Sequence, residues 1–600
     1  MHPDLLLSRR DLDFLLHEWL EVTDLVTRER FAEHSRDTFD AVVDLASSLA
    51  GEYFAPHNAT SDEQEPQFDG ETVTIIPEVA TALRAYADAG LISAAMDAEV
   101  GGVQVPYVIQ QACFAWFAAA NTATAGYAML TMANANLLVA HASPDQVQRF
   151  VPPMLDGRWF GTMCLSEPQA GSSLGDVATR AVRQPDGTFR IFGNKMWISG
   201  GDHEMGDNIV HLVLARIEGS APGVKGLSLF ATPKFVVGED GRRGERNDVT
   251  LAGINHKMGY RGTVNTVLNF GEGTHLPAGS PGAVGELIGE EGRGLAVMFH
   301  MMNEARIGVG AGAVALGYTG YRRALDYARG RVQGRPLGGK DPAATPVAII
   351  EHADVRRMLL ASKSYVEGGL ALTLKAALLL DDQRTHPDEE ARLRAGALLD
   401  VLTPIVKSWP SQWCLAANDL AIQVHGGYGY TREYGVEQLY RDNRLNPIHE
   451  GTHGIQAQDL IGRKFVLDGG RGLLVLREAI DDTIGRAGDA RDATLKEYAF
   501  RLSGAVESLV QAVGSAWETG DPRVALANAT TGLEAAGHVV VAWIWLEQLL
   551  AAQGKTGEFY DGKRAAGRYF LTHELPKVGP MLDLLAGGDQ LFNEVEGDWL

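Results

Sequence analysis

The sequence predicts a mainly α-helical chain with one β domain in its middle, in the order α, β, α, α. Three observations predict it. Apolar residues recur at helical spacing from Phe14 to about Val151. Short β-prone runs separated by turn clusters then occupy about 161–285, and the helical period returns in long segments from Leu295 onward. A length of 600 residues allows roughly four domain-sized units. Their boundaries are expected at 1–160, 161–285, 286–468 and 469–600.

In the first domain, Ala-rich stretches such as Gln111 to Ala125 and Ala128 to Ala142 carry the helices, and Asn58 to Gly70 reads as a loop. The β runs of the second are Gly193 to Gly200, Ile209 to Ile217, Gly226 to Thr232 and Thr263 to Phe270. Turn clusters such as Pro185-Asp186-Gly187 separate them, so a compact antiparallel unit is expected. The Gly- and charge-rich piece Val237 to Asp248 reads as a solvated excursion between two strands. Long helical segments follow at Leu295 to Tyr327, Ile349 to Leu380 and Ala391 to Ala421, the makings of a bundle. The last domain has its strongest helices at Leu495 to Thr519 and Val524 to Gln553. No repeat recurs at a fixed period.

Composition narrows the function. With 45% hydrophobic and 22% charged residues the chain is globular rather than disordered or fibrous. A net charge of −23 and a pI near 5.2 argue against nucleic acid or an anionic lipid surface as the main partner. The last 132 residues carry 12 basic and 19 acidic groups, so no basic face is expected there either. Cys113, Cys164 and Cys414 are an odd set without metal-ligand spacing, which fits a reducing compartment, here taken as cytoplasmic. The first twenty residues hold Asp4, Asp11, Asp13 and Glu18, unlike a secretory signal. The apolar runs Ala112 to Ala120 and Val539 to Leu546 are far shorter than the roughly 20 residues that cross a bilayer. Membrane association is therefore not expected.

Four segments could carry chemistry. Met163 to Gly175 is rich in Gly and Ser, with Ser166, Ser172 and Ser173 offering hydroxyls to a phosphate or to the polar edge of a ring; it also reads as a plain interdomain loop. In Asn194 to Gly201, Trp197 suits the wall of a flat cofactor, or simply a core position. Gln423 to Arg432 holds three glycines in four residues, either a generous helix C-cap or a set of exposed backbone donors. His449 to Gln456 places Glu450 beside Gly451, ahead of an expected helix at Ala457 to Val466. A carboxylate there either complements a helix dipole or, in a dry cleft, serves as a base with a raised pKa. Glu304, Glu433 and Glu437 compete for such a role. The histidines, His203, His211, His256 and His300 among them, have irregular spacing and read as structural, with no metal site. No GxSxG, Walker or dinucleotide-binding pattern opens a strand-to-helix unit.

Taken in order, these segments resemble the acyl-CoA dehydrogenase family over most of residues 75–465. The string comprises Leu165-Ser-Glu-Pro-x-Ala-Gly-Ser172, Lys195-Met-Trp-Ile-Ser199, Lys257-Met-Gly-x-Arg-Gly262, Gly289-x-x-Gly-x-Gly294, Gln423-x-x-Gly-Gly-x-Gly429 and Glu450-Gly-Thr452. Length, the Val237 to Asp248 piece, Arg331-Val-Gln-Gly-Arg335 and the helical tail most resemble the long bacterial branch, which includes 3-methylmercaptopropionyl-CoA and broad-range fatty acyl-CoA dehydrogenases.

The resemblance implies helical N-terminal, β-barrel and four-helix-bundle domains plus an extra C-terminal helical domain, with FAD held between barrel and bundle and across a subunit interface. It implies an enzyme of fatty acid β-oxidation that converts an acyl-CoA to the trans-2-enoyl-CoA. Glu450 falls on the catalytic glutamate, which takes the α-proton while the β-hydrogen leaves as hydride to the flavin. The Glu450 N–H and a flavin ribityl hydroxyl would polarise the thioester carbonyl, a donor arrangement that favours the forming enolate.

The resemblance sets Met163, Leu165 and Ser166 at the isoalloxazine with Trp197 and Ser199 beside it, and Thr452 on the flavin side. Arg331 and Gln333 would reach the FAD of a neighbouring subunit, and Gln423 with Gly427 its adenosine end. Ser172, Arg306 and Gly451 fall on the substrate side, Arg306 near the CoA. Two positions depart from the common pattern: His449 replaces a tyrosine, and Gly454 a cofactor-touching side chain. Some relatives carry the base on an earlier helix, but Ala305 occupies that position here, and Glu304 is offset by one residue, about 100° around the helix.

Electrons are expected to pass to an electron-transferring flavoprotein. An acyl-CoA oxidase shares the fold and base, and a DNA-associated alkylation-response flavoprotein shares the fold but uses a basic tail. The extra domain implies a homodimer, and residues of Tyr107 to Phe117 and Met129 to Leu138 would line the acyl pocket.

Overall fold

The computed structural model describes residues 3–336 and 343–600. Its contacts form two compact units, one of Phe39–Val105 and Trp116–Gly308, the other of the segment up to Thr38, Pro106–Ala115 and Val309–Leu600.

In the first unit, α1 (Arg36–Leu49, its larger part), α2 (Pro77–Asp88), α3 (Tyr107–His141, its larger part) and α4 (Pro144–Leu155) precede the sheet. Helix α3 is apolar on all sides and accordingly buried almost throughout. It is interrupted at Asn121, whose extended backbone breaks the helix and whose Oδ1 accepts from Thr124 N at 3.0 Å, capping the restart. Ser143 and Gln146 form a reciprocal capping box that starts α4 at Pro144. The expected loop at Asn58 to Gly70 contains instead a short helix, Asn58–Glu63, and a two-residue strand, Gln67–Phe68.

The barrel sheet has eight strands: β1 (Trp159–Cys164), β2 (Arg180–Arg183), β3 (Phe189–Ser199), β4 (Asn208–Ile217), β5 (Leu227–Pro233), β6 (Val249–Ile254), β7 (Asn265–Phe270) and β8 (Ala283–Ile288). They run in the order β6-β7-β3-β8-β5-β4-β1, and β2 pairs with both β3 and β4, closing the ring. The expectation of an antiparallel unit needs correcting. Strands β1 and β2 both pair with β4 in parallel, because β4 lies between them and is reached only after the β2–β3 hairpin. Strand β4 is buried along nearly its whole length and reads as a continuous apolar run, as a strand covered on both faces does.

The Val237 to Asp248 piece is more than a solvated excursion. Phe235–Val237 and Arg243–Arg246 pair as a hairpin, and buried Asp248 accepts from the backbone N–H of Gly273, His275 and Gly282.

The second unit is helical. Long helices α5 (Gly294–Gly330, its larger part), α6 (Ala353–Thr385) and α7 (Glu389–His425) lead to α8 (Val436–Asn443) and α9 (His453–Asp459). The tail adds α10 (Leu467–Asp489), α11 (Ala493–Ala516), α12 (Ala529–Ala551), α13 (Glu558–Tyr569) and α14 (Val578–Gly587). Helix α12 is long and apolar enough to cross a membrane, but 83% of its apolar window is buried inside its own unit, as befits the central helix of a bundle. The α6–α12 approach is close enough that a Cβ on Gly368 would stand 2.8 Å from Trp545 Nε1.

The N-terminal segment joins this unit through buried charge. Lys563, wholly buried on α13, pairs with Asp11 and, at 3.0 Å, with Glu367 of α6, and donates to Gln548 Oε1 of α12 at 3.0 Å. Tyr318 donates to the other Asp11 oxygen at 3.0 Å, and Lys363 pairs with Glu367. Five parts of the chain, the N-terminal segment, α5, α6, α12 and α13, thus meet at one buried polar cluster. Removing one partner from such a cluster leaves charge buried without compensation. We expect Lys563→Met to lower the unfolding free energy by about 3–5 kcal/mol, read from urea denaturation with tail tryptophan fluorescence; an unchanged midpoint would contradict the arrangement.

Candidate active site

Strand β1 delivers Met163, and Leu165 and Ser166 follow it directly; all three are half-buried. The loop beyond is anchored by an ion pair that sequence reasoning missed. Lys195, fully buried on β3, donates from Nζ to the Leu165 carbonyl and to Glu167 Oε1, both at 2.9 Å. Glu167 also accepts from Ala178 N, Thr179 N and Thr179 Oγ1. Burial alone would raise its carboxyl, but Lys195 and these donors outweigh it and hold it at about 2. The only sequence signal was two opposite charges set among apolar β residues.

From the same strand Met196 N donates to the Ser166 carbonyl at 2.9 Å. The next residue is the anomaly. The β3–β7 register shifts between Leu268↔Lys195 and Thr266↔Ile198, and Trp197 sits in that bulge with φ of +67° and 60% of its surface exposed. It is therefore not a core tryptophan. A large aromatic is thus held open to solvent on a left-handed backbone, a strained conformation for a residue other than glycine. Ser199, two residues on, accepts from Asn265 Nδ2 at 3.2 Å. Ser172 is exposed on the loop.

The Gly289 to Gly294 string also has a backbone reason. A Cβ on Gly292 would stand 2.8 Å from the Lys225 carbonyl, and one on Gly294 2.4 Å from the backbone of Ser228, so only glycine lets α5 start there. Farther along α5, Arg306 is buried, and Glu304 accepts from Asn136 Nδ2 at 3.1 Å. His300 lies outside the residues whose side chains are described.

The second unit carries the remaining candidates in two groups. Arg331 donates to Gln333 Oε1 at 3.2 Å, and its guanidinium lies 5.6 Å from the Tyr428 ring centroid, next to Gly427. Gln423 is exposed on the last turn of α7, its carbonyl accepting from Gly426 N in the cap. Gly427 has open space where a Cβ would stand.

Glu450, Gly451 and Thr452 form the other group. The helix after them starts at His453, earlier than the expected Ala457, with Thr452 as its N-cap. Glu450 has φ of +52° and Gly451 of +89°, two successive left-handed residues. For a glutamate this conformation is costly, so neighbours must impose it. Gln456, fully buried, donates from Nε2 to the Glu450 carbonyl at 2.9 Å, and Lys407 of α7, fully buried, donates from Nζ to the Gly451 carbonyl at 2.5 Å. A Cβ on Gly451 would stand 2.5 Å from that same Gln456 nitrogen, so the position tolerates only glycine.

An amide chain supports the turn from behind. Asn418 of α7 donates to the Leu316 carbonyl at 2.9 Å; Asn443 of α8 donates to the Ala313 carbonyl at 3.0 Å and to Asn418 Oδ1 at 2.7 Å. Asn446 then donates to Asn443 Oδ1 at 2.8 Å, and His449 Nε2 lies 3.0 Å from Asn446 Oδ1. All three asparagines are buried, so each bond matters. Burial, then the nearby Lys407 cation, push His449 down to about 3 and, with Arg444, His453 to about 4. Both stay neutral near pH 7, leaving His449 free to donate from Nε2 to Asn446. Asparagines at core-facing helix positions were the missed signal.

The depressed Glu167 carboxyl has a pH signature. Its native pKa lies below the ordinary 4.5, so its contribution to stability is full above 4.5 and fades as pH falls toward 2. Glu167→Gln should flatten the fall in thermal stability between about pH 5 and 2, measured by calorimetry; the same slope as wild type would contradict the pairing with Lys195.

Comparison with known proteins fits this geometry. Residues 36–158, 162–272 and 292–465 match the N-terminal, middle and C-terminal domain models of acyl-CoA dehydrogenases, and 476–596 match the acetyl-CoA dehydrogenase C-terminal-like model. The chain is 36% identical to 3-methylmercaptopropionyl-CoA dehydrogenase of Ruegeria pomeroyi, over 94% of both chains. Among solved structures it resembles ACDH-11 of Caenorhabditis elegans in complex with C11-CoA, with a TM-score of 0.77 at 18% identity over 96% of this chain and 92% of that one. It also resembles a Bacillus anthracis acyl-CoA dehydrogenase complexed with FAD, with a TM-score of 0.74 at 18% identity over 94% of this chain and 90% of that one. At that identity the structural likenesses establish the fold: a helical chain with a small barrel and an added C-terminal domain. With the domain matches and the full-length relative, they make this chain an oxidoreductase of the acyl-CoA dehydrogenase family.

Proposed function

We propose that the protein dehydrogenates an acyl-CoA thioester between its α and β carbons, with Glu450 as the base. The observation that carries this reading is the Glu450–Gly451 turn, a carboxylate-bearing residue held on a left-handed backbone by two fully buried donors. An α-proton beside a thioester is a weak acid, so a fixed carboxylate with little freedom to lose is what its removal needs. The proton passes to the Glu450 carboxylate, and the electron pair it leaves forms the new double bond as the β-hydrogen departs with its own pair. FAD, when bound, supplies the acceptor for that hydride.

The residues present suit a flavin. Trp197 offers an open aromatic face, Ser199 adds a hydroxyl on the same strand and Ser166 another from the loop bonded to that strand through Met196 N, and the uncrowded Gly427 beside Arg331 leaves backbone accessible to a phosphate-bearing ligand. In this reading Met163, Leu165, Ser166, Trp197, Ser199, Arg331, Gln333, Gln423, Gly427 and Thr452 hold the cofactor, and Ser172, Arg306 and Gly451 the substrate. Arg306 supplies a local cation for an acidic ligand in a chain of net charge −23.

We place the enzyme in β-oxidation, as a cytoplasmic homodimer that passes electrons to an electron-transferring flavoprotein. Three buried cysteines, none of them in a disulfide, support the compartment. The methylthio-propionyl thioester named in the Ruegeria relative and the C11-CoA bound to ACDH-11 both fall within the substrate range to try.

The test is anaerobic flavin bleaching with a series of thioesters from methylthio-propionyl to palmitoyl. One chain-length class should bleach the wild type, and Glu450→Gln should slow that bleaching by about 10²–10⁴-fold. Flavin-loaded wild type that no thioester bleaches, or a Glu450→Gln variant as fast as wild type, would overturn the reading.

A further inference from the structure

Lys407 stands out as a buried lysine bonded to the Glu450–Gly451 turn, and nothing in the motif string pointed to it. Its side chain is fully buried, and its ammonium donates to a backbone carbonyl, that of Gly451, 44 residues away in sequence. Taking an ammonium out of water costs several kcal/mol, and a methionine of similar length would fill the same space without that cost. The cation therefore has to contribute something that packing alone does not. It meets the carbonyl of the peptide unit that joins Gly451 to Thr452, directly after two successive residues with positive φ.

We propose that Lys407 is a positioning residue for the base: by clamping the Gly451 carbonyl it fixes the left-handed Glu450–Gly451 turn and so the aim of the Glu450 carboxylate. The division of labour is geometric. Gln456 holds the Glu450 carbonyl and Lys407 the Gly451 carbonyl, so consecutive peptide planes are pinned by separate donors from α9 and α7. Without Lys407 the Gly451 peptide is free to rotate, and glycine offers no steric resistance to that rotation. Misplacing a catalytic group by about 1 Å costs on the order of 10²-fold in rate while binding contacts elsewhere survive.

The inference rests on Glu450 being the base, and the experiment separates the two. The probe is 3,3-dimethylbutyryl-CoA, which has α-hydrogens but no β-hydrogen to lose, so the flavin-loaded enzyme in deuterated water reports α-proton removal alone. The C–H bond breaks, the proton goes to the base, the electron pair to the thioester oxygen, and return of a deuteron restores the ester.

Exchange and kcat should fall about tenfold or more in Lys407→Met and about threefold in Lys407→Gln, which keeps a neutral donor, with KM within about twofold in both. Wild-type exchange in either folded variant overturns the proposal, as does a loss that appears in KM or merely tracks lost flavin content. If Lys407→Met does not fold, Lys407→Gln decides by the same criteria. In parallel, exchange that persists in Glu450→Gln removes Glu450 as the base. Exchange lost there but untouched in the Lys407 variants overturns the positioning role alone.

Discussion

A glutamate does not hold a φ of +52° unaided. The Glu450 backbone keeps it because buried donors hold the two carbonyls of the turn, and that constraint organises much of the second unit. The asparagine chain from Leu316 through Asn418, Asn443 and Asn446 to His449 uses side-chain amides to join α5, α7 and α8 to the loop. Lys407 and Gln456 complete it from the other side. In a dry interior each of these groups costs free energy if left unpaired, so alternative placements of the turn are penalised at several points at once. The long helices are stable on their apolar faces; the polar residues inside them serve the loop.

The first unit solves a similar problem by different means. There the strained residue is Trp197, and its support is a strand pair whose register slips by one residue, with the loop opposite pinned by the Lys195–Glu167 pair. In both units a buried lysine reaches a main-chain carbonyl, Leu165 in one and Gly451 in the other. A flexible four-carbon stem with three donors at its tip suits that task better than a planar guanidinium would. The backbone that faces a ligand is thus shaped from inside, leaving the outer face to the ligand.

The order of domains and the chemical motifs were legible in the chain because they depend on local period and on residue type: the β4 run Ile209 to Ile217, the long helices after Leu295, and the Glu450-Gly-Thr string. Several features were not, each for a physical reason. Trp197 read either as a cofactor wall or as a core residue, since a bulge leaves no compositional mark. The parallel pairing of β1 and β2 with β4 is decided by which strand reaches the middle of the sheet, which period-2 patterns do not encode. The attachment of the first residues to the tail rests on Asp11 and Lys563, more than five hundred positions apart. Lys407, Asn418 and Asn443 read as ordinary helix residues, and Asn446 as a loop residue, until the fold brought them to one place. The helix at His453 was placed late because its cap, Thr452, sits directly after two left-handed residues rather than after a conventional turn.

The central claim is that the buried amide chain, and not the turn's own sequence, fixes the backbone around Glu450. Native-state hydrogen exchange in Asn443→Ala tests it most directly. The Ile448 and His449 amides, which donate to the Leu445 carbonyl, and the Gln456 amide, which donates to the Thr452 carbonyl, are the reporters. The account predicts that these amides exchange about tenfold faster or more in the variant while the interior of α7 keeps its protection. Unchanged protection at those three amides, in a variant that has lost Asn443, would contradict it.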